Sequence, residues 1–185
     1  MGTLVLNGAT SGSTTIQPTD AATVTATLPG ATGTIMVSGN MPAFSAYKSG
    51  GNQSISANTW TKCTFQTKEF DTNNNFDNAT NYRFTPTVAG YYQIQGCVYI
   101  TGGAYEAYYG ISLYKNGSQY KSNAMNTANG QLGDVAMTVS SVVYCNGSTD
   151  YLELYAIVNT SGTATMDAYS TVYTCKMSGA LMRTA

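Results

Sequence analysis

Asp71 and Asp77 lie in the stretch "FDTNNNFDNATNYRFTPTVAGYYQI", Phe70 to Ile94, with Asn73, Asn74, Asn75 and Asn78 beside them. Carboxylate and amide oxygens gathered in a turn-rich segment are the donor type a Ca²⁺ ion takes, six to eight at a time. The spacing does not match an EF-hand loop, which needs a Glu at its twelfth position. The competing reading is that these are turn residues, because Asn and Asp side chains bond the nearby backbone and tolerate tight turns. No other cofactor is suggested. A second stretch, "GGAYEAYYGISLY", is rich in Tyr, whose flat apolar face and hydroxyl suit sugars and protein interfaces alike. Tyr108, Tyr109 and Tyr114 are read as interface or core residues, and Tyr105 and Glu106 as surface contacts on a loop tip.

Other chemistries are excluded by what the chain lacks. It has no His, so a Ser-His or Cys-His couple cannot form, and its nine carboxylates make no recognisable acid/base pair. The expectation is a protein that is not an enzyme. Cys63, Cys97, Cys145 and Cys175 are far apart in sequence, without the CxxC pairs of a zinc site. Each sits in a strand-like run, and all four are expected as free, buried thiols. With 9% charged residues and a net charge of −1, the chain has no basic stripe for nucleic acid. No apolar run approaches the roughly 20 residues that span a bilayer, and no basic-apolar leader opens the chain. The expectation is a soluble protein made in a cytosol, without membrane insertion.

The elements that must carry these residues fall into two regions. Residues 1–41 contain one charged side chain, Asp20, and no aromatic ring. "LVLNGATSG" and "TLPGATGTI" form an imperfect repeat, and three short strands are expected at Thr3–Leu6, Thr23–Leu28 and Thr34–Val37. Such strands lack the bulk to bury a core and need neighbours. Leu4, Leu6, Val24, Leu28, Ile35 and Val37 are therefore read as anchor residues, ordered against a partner or against copies of the chain. Residues 42–185 read as all-β: alternating runs such as "YYQIQGCVYI", "DVAMTVSSVVYCNG" and "DYLELYAIVN" end at Asn-Gly and Ser-Gly turns. Eight to ten short strands at this spacing predict a sandwich, most simply a jelly roll. The Asn-rich stretch then becomes long connections across the sandwich, with its Phe residues anchored in the core.

At this point the residues resemble a known family. Phe65, Asp71, Phe76, Phe84, Gly90 and Tyr92 are similar to the signature of the C1q-like globular head, a branch of the tumour-necrosis-factor-like jelly rolls. "PAFSA" at 42–46 resembles its opening strand, and "SLYKNG" its central hairpin. "GSTDYLEL" resembles its Gly-Asp strand, and "MSGALM" its closing one. The spacing from Phe76 to Phe84 is one residue longer than the family's, Ile94 stands where an aromatic is common, and Ser148 and Thr149 interrupt the Gly-Asp. The N-terminal "GTLVLNGATSG…ATLPGATGTIM" resembles Thr/Gly/Ala-rich segments of phage fibre-type proteins.

The resemblance implies an all-β C1q/TNF-like jelly-roll sandwich at 42–185, preceded by a short extended docking segment at 1–41. It also implies a homotrimer closed about a threefold axis through aromatics, and it sets the strands of Cys97 and Cys175 side by side. The function it suggests is a virion surface structural protein, assembled in the host cytoplasm, with the phage major capsid protein or another virion protein as partner. A capsid decoration or head-fibre role suits so short a leader before the head. The alternatives are the receptor-binding head of a tail fibre or needle that recognises host surface glycans, or a lectin-like module.

Overall fold

The computed structural model describes residues 4–7, 9–16, 25, 30, 37, 39, 41–102, 108–126, 134–159, 164–168 and 175–185. The chain divides into two compact units, Met1–Thr34 and Ile35–Ala185.

The first unit contains a two-stranded antiparallel hairpin, β1 (Leu4–Asn7) and β2 (Ser13–Ile16), in the register Leu4↔Ile16 to Asn7↔Ser13. Val5, Leu6 and Ile16 are about half exposed. An isolated two-stranded ribbon is marginal in water because it buries too little. β2 does not stand out in the sequence, where polar Ser and Thr mask its pairing. The strands expected at Thr23–Leu28 and Thr34–Val37 lie outside the described residues, apart from Thr25 and Val37, neither of which is in a strand.

The second unit is a sandwich of two antiparallel sheets, the jelly roll expected from the spacing. One sheet runs β4 (Gln53–Ile55), β14 (Ala164–Met166), β9 (Gly90–Thr101), β15 (Lys176–Thr184), β3 (Ala43–Tyr47), β6 (Thr67–Asp71), with β12 (Val135–Cys145) also on β9. The other runs β11 (Ser118–Asn126), β10 (Tyr108–Lys115), β13 (Leu152–Asn159), β8 (Arg83–Phe84), β7 (Phe76–Asp77), with β5 (Thr61–Lys62) on β13. The longest strands, β9 and β12, alternate strictly in burial, as period-2 side chains must when one face packs on a core. The core is where these inward sets meet: Tyr92, Ile94, Val98 and Ile100 from one sheet against Tyr109, Ile111, Leu113, Leu152 and Leu154 from the other. Tyr109 is thus a core residue, and its buried hydroxyl has no hydrogen-bond partner among the described residues. Asn116 (φ 54°) and Gly117 (φ 77°) make the β10–β11 turn, where two successive left-handed residues match the twist of a hairpin.

The Asn-rich stretch is not a bare connection. It folds into a miniature hairpin, β7 against β8, in the register Phe76↔Phe84 and Asp77↔Arg83. Phe76 and Phe84 enter the core, and both stack on Phe44 of β3, with centroids at 5.1 and 4.3 Å. Phe84 also meets Tyr92 edge-on at 5.5 Å. Phe70 departs from the expected core role and is 49% exposed. The β3–β6 pairing slips between Ser45 and Ala46, and this irregularity brings Phe70 opposite Ser45, whose alternate neighbours Phe44 and Ala46 point inward.

Replacing Phe84 by Ala removes the ring shared by the tighter Phe44 stack and the Tyr92 contact. The expected loss is about 3–5 kcal/mol of unfolding free energy, read by urea denaturation at an unchanged m-value.

Candidate functional site

Three places in the second unit gather side chains able to bind something. The first is a concave, open pocket of about 470 Å³ along the Asn-rich stretch. It is lined by Lys68, Asn74, Asn75, Phe76, Asp77, Asn78, Asn81, Arg83, Thr85 and Thr87. The two carboxylates read from sequence build this wall. Asp71 Oδ1 accepts from Asn75 N, and its Oδ2 accepts from Phe76 N and Lys68 Nζ. Asp77 Oδ1 accepts from the amides of Ala79 and Thr80, both at 2.9 Å, and its Oδ2 accepts from Asn81 N and Asn81 Nδ2. Both carboxylates are therefore turn acceptors, each facing N–H donors. The amides of Thr80 and Ala79 hold Asp77 well below the usual carboxylate range. Among the described residues no three His, Cys, Asp or Glu side chains converge as metal ligands do.

Arg83 is the pocket's free cation. Its guanidinium lies over the Tyr151 ring at 4.2 Å and, among the described residues, has no ion pair and no hydrogen bond. Lys68, by contrast, is held by Asp71 and by Asn74 Oδ1 at 3.0 Å. Tyr82, beside Arg83, carries φ 50°, a left-handed backbone that a bulky residue seldom adopts. Sequence reading missed Arg83 and Lys68 here, although an Arg directly after an Asn-rich turn was a visible signal.

The second place is an aromatic cluster on the solvent face of the β10–β13 pair. Tyr114 stacks on Tyr155 at 3.9 Å, and Trp60 meets Tyr114 edge-on at 6.2 Å. Lys62 pairs with the buried Glu153 and also lies over Tyr155. Tyr108 is half-buried on the same strand, whereas Tyr109 points into the core. The three Tyr residues singled out together are thus divided between the faces of one strand. Tyr105 and Glu106 lie outside the described residues. Trp60, the single Trp of the chain, went unremarked because nothing periodic surrounds it.

The third place is the outer face of the large sheet. Tyr91, Gln93, Gln95 and Cys97 of β9 stand beside Ser140, Val142 and Tyr144 of β12 on one side and Ser178 and Ala180 of β15 on the other. None of these carries a charge, but Lys176 and Arg183 of β15 stand opposite Cys97 and Tyr91. Tyr91 and Tyr144 pair across the strands at 5.5 Å, and Val142 is 47% exposed. Nearby, among the described residues, β11 ladders with β10 alone, Asn123 Nδ2 donates to Thr138 O of β12, and every residue of β11 is exposed.

Burial works against a thiolate at each cysteine. All four are free thiols, with Cys63, Cys145 and Cys175 buried. Burial pushes Cys145 and Cys175 up to about 11, and raises Cys63 and Cys97 as well. Cys175 Sγ instead accepts a hydrogen bond from the amide of Tyr99 at 3.0 Å.

No family model and no curated protein matches the sequence. Solved structures match the fold. The globular domain of zebrafish complement 1qA protein aligns at a TM-score of 0.55 and 17% identity, covering 78% of this chain and 98% of that one. Murine APRIL aligns at 0.53 and 7% identity (77% and 99% covered). The Eiger TNF of S. frugiperda aligns at 0.52 and 8% identity (79% and 95% covered). The architecture is the C1q/TNF-like jelly roll.

Asp77→Ala strips three backbone amides of their acceptor and is expected to cost about 1 kcal/mol at neutral pH. Because the folded pKa is depressed, this contribution is present above the unfolded value near 4 and is lost as pH falls through the folded one. Thermal melts of both proteins from pH 7 downward should therefore converge below about pH 4. A gap that stays constant to pH 2 contradicts the assignment.

Proposed function

We propose that this chain is a non-enzymatic, homotrimeric surface protein of a phage particle. In this reading the N-terminal unit docks on the shell and the jelly roll projects outward as a decoration or head fibre. One observation carries the reading: a C1q/TNF-like sandwich that presents two different exposed surfaces, the sparsely charged outer face of the large sheet and strand β11. A cyclic trimer needs a heterologous contact, in which one patch of each subunit meets a different patch of the next and the rotation closes.

The face suits burial. Interface centres are depleted of charge and enriched in Tyr and Met, and here the charged Lys176, Glu69 and Arg183 stand at the margins. A groove of about 290 Å³, lined by Phe70, Gln93, Gln95, Ser178, Gly179 and Ala180, gives that face a place to receive an aromatic. Tyr120 and Met125 of β11 are exposed side chains of the right kind. The docking role of the N-terminal unit is supported by its bare hairpin, which exposes Val5, Leu6 and Ile16, and by the likeness of residues 1–41 to phage fibre-type segments. Burying each such side chain yields on the order of 1.5–3 kcal/mol, against ~1–2 kcal/mol per residue for ordering the backbone. The hairpin thus gains most where a partner adds strand pairing.

Light scattering should give three times the chain mass at micromolar concentration, and Val142→Asp should give a folded monomer. Cys97, on the neutral face, should resist alkylation in the trimer and react in that monomer. A monomeric wild type ends the trimer reading, and a trimeric Val142→Asp protein moves the contact elsewhere. Deleting residues 1–41 should leave a trimeric head that no longer attaches to particles lacking the protein. Equal attachment of both versions assigns the contact to the head.

A further inference from the structure

We propose that the Asn-rich pocket beside β7 and β8 is a binding site for a carboxylated saccharide, with Arg83 as the carboxylate's partner. This goes beyond the structural role above and does not depend on it. Arg83 presents a planar guanidinium held on the Tyr151 ring, and among the described residues it makes no ion pair; Asp77, its cross-strand neighbour in the same pocket, spends its carboxylate on the N–H groups of residues 79–81. A guanidinium held flat against a ring still offers its N–H edge, and that edge matches a carboxylate with two parallel hydrogen bonds.

The rest of the lining indicates a sugar rather than a bare anion. Among the described residues, Asn74 has its Oδ1 on Lys68 and its Nδ2 unspent, while Asn78 donates Nδ2 to Gln66 O and keeps its Oδ1. Asn81 gives Nδ2 to Asp77 and keeps its Oδ1, and Thr85 adds a hydroxyl. Donors and acceptors are thus interleaved, which suits vicinal hydroxyls because each can both donate and accept. These groups are prepositioned: Asp71 and Asp77 fix the two turns through backbone amides, and Asn75, 7% exposed, is tied to Asn73 O and Thr87 Oγ1. The volume of about 470 Å³ falls within the range of small-molecule sites. A divalent cation suits the pocket poorly, because its carboxylate oxygens already face N–H donors and two cationic side chains line it.

The test uses the full-length protein, with calorimetry and saturation-transfer NMR against trigalacturonate and 3′-sialyllactose. Their methyl esters serve as uncharged controls and inorganic phosphate as the bare anion. At least one carboxylated sugar should bind, with its ester about tenfold weaker or worse, since one charge-assisted pair is lost. Arg83→Gln should lose the same factor. Arg83→Lys, which keeps the charge and the stem, should lose much of it while melting within a few degrees of wild type. Binding of neither sugar overturns the site. So does binding in which the ester, phosphate or the Arg83→Lys protein equals the cognate pair.

Discussion

The stack of Phe84 on Phe44, centroids 4.3 Å apart, is the contact on which the rest of this head depends. Phe44 belongs to the large sheet and Phe84 to the small one, so a single ring pair holds the two layers in register. Phe76 adds a second ring on Phe44, and Tyr92 a second partner on Phe84. Such pairs contribute about 0.5–1.5 kcal/mol beyond the area they bury, and all these rings are at most 2% exposed. The Asn-rich hairpin is otherwise polar. Without Phe76 and Phe84 it would have almost no apolar means of attachment, and the pocket it walls would have no fixed shape.

Charge is used sparingly and inwardly. Asp71 is buried beneath Lys68, and Glu153 beneath Lys62. Asp150 accepts from Asn116 Nδ2 at 2.7 Å and Asn146 N at 3.0 Å, with Lys115 alongside. Asp150 thereby ties the Lys-Asn-Gly hairpin to the turn before β13. Its carboxyl is lowered chiefly by the Asn116 hydrogen bond. Carboxylates fixed in this way organise turns and contribute little field at the surface. The sparsely charged outer face of β9, β12 and β15, where Lys176 and Arg183 stand only opposite Cys97 and Tyr91 towards the ends of the β9–β15 pairing, follows from the same economy.

The strands were legible because burial on one face forces a period of two, as in β9 and β12, and because β10 and β13 lie where the runs of β-formers were apolar. The Lys-Asn-Gly turn was legible because few residue pairs accept two left-handed conformations. What escaped the reading depends on register rather than pattern. Phe70 looks like core until the β3–β6 slip sets it opposite Ser45. β7 and β8 are two residues each, too short for any periodicity to show. Arg83 and Tyr151 are distant in sequence, and only the sandwich brings guanidinium and ring together. The division of Tyr108, Tyr109 and Tyr114 between two faces follows from alternation. A cluster of like residues obscures it when they are considered as a group.

The surfaces argued for assembly and the pocket argued for binding are built from different parts of the sandwich. The neutral face comes from the middle of long, strictly alternating strands, where one inverted side chain would break the core behind it. The pocket comes from a segment between β6 and β9 that touches the core mainly through two Phe rings and otherwise satisfies itself through Asx turns. Changing Asn78, Asn81 or Thr85 alters what the pocket presents without disturbing any strand register. Loops on a rigid scaffold vary more freely than the scaffold, and recognition commonly resides there for that reason. This arrangement lets the pocket residues change while the outer face of the large sheet stays fixed.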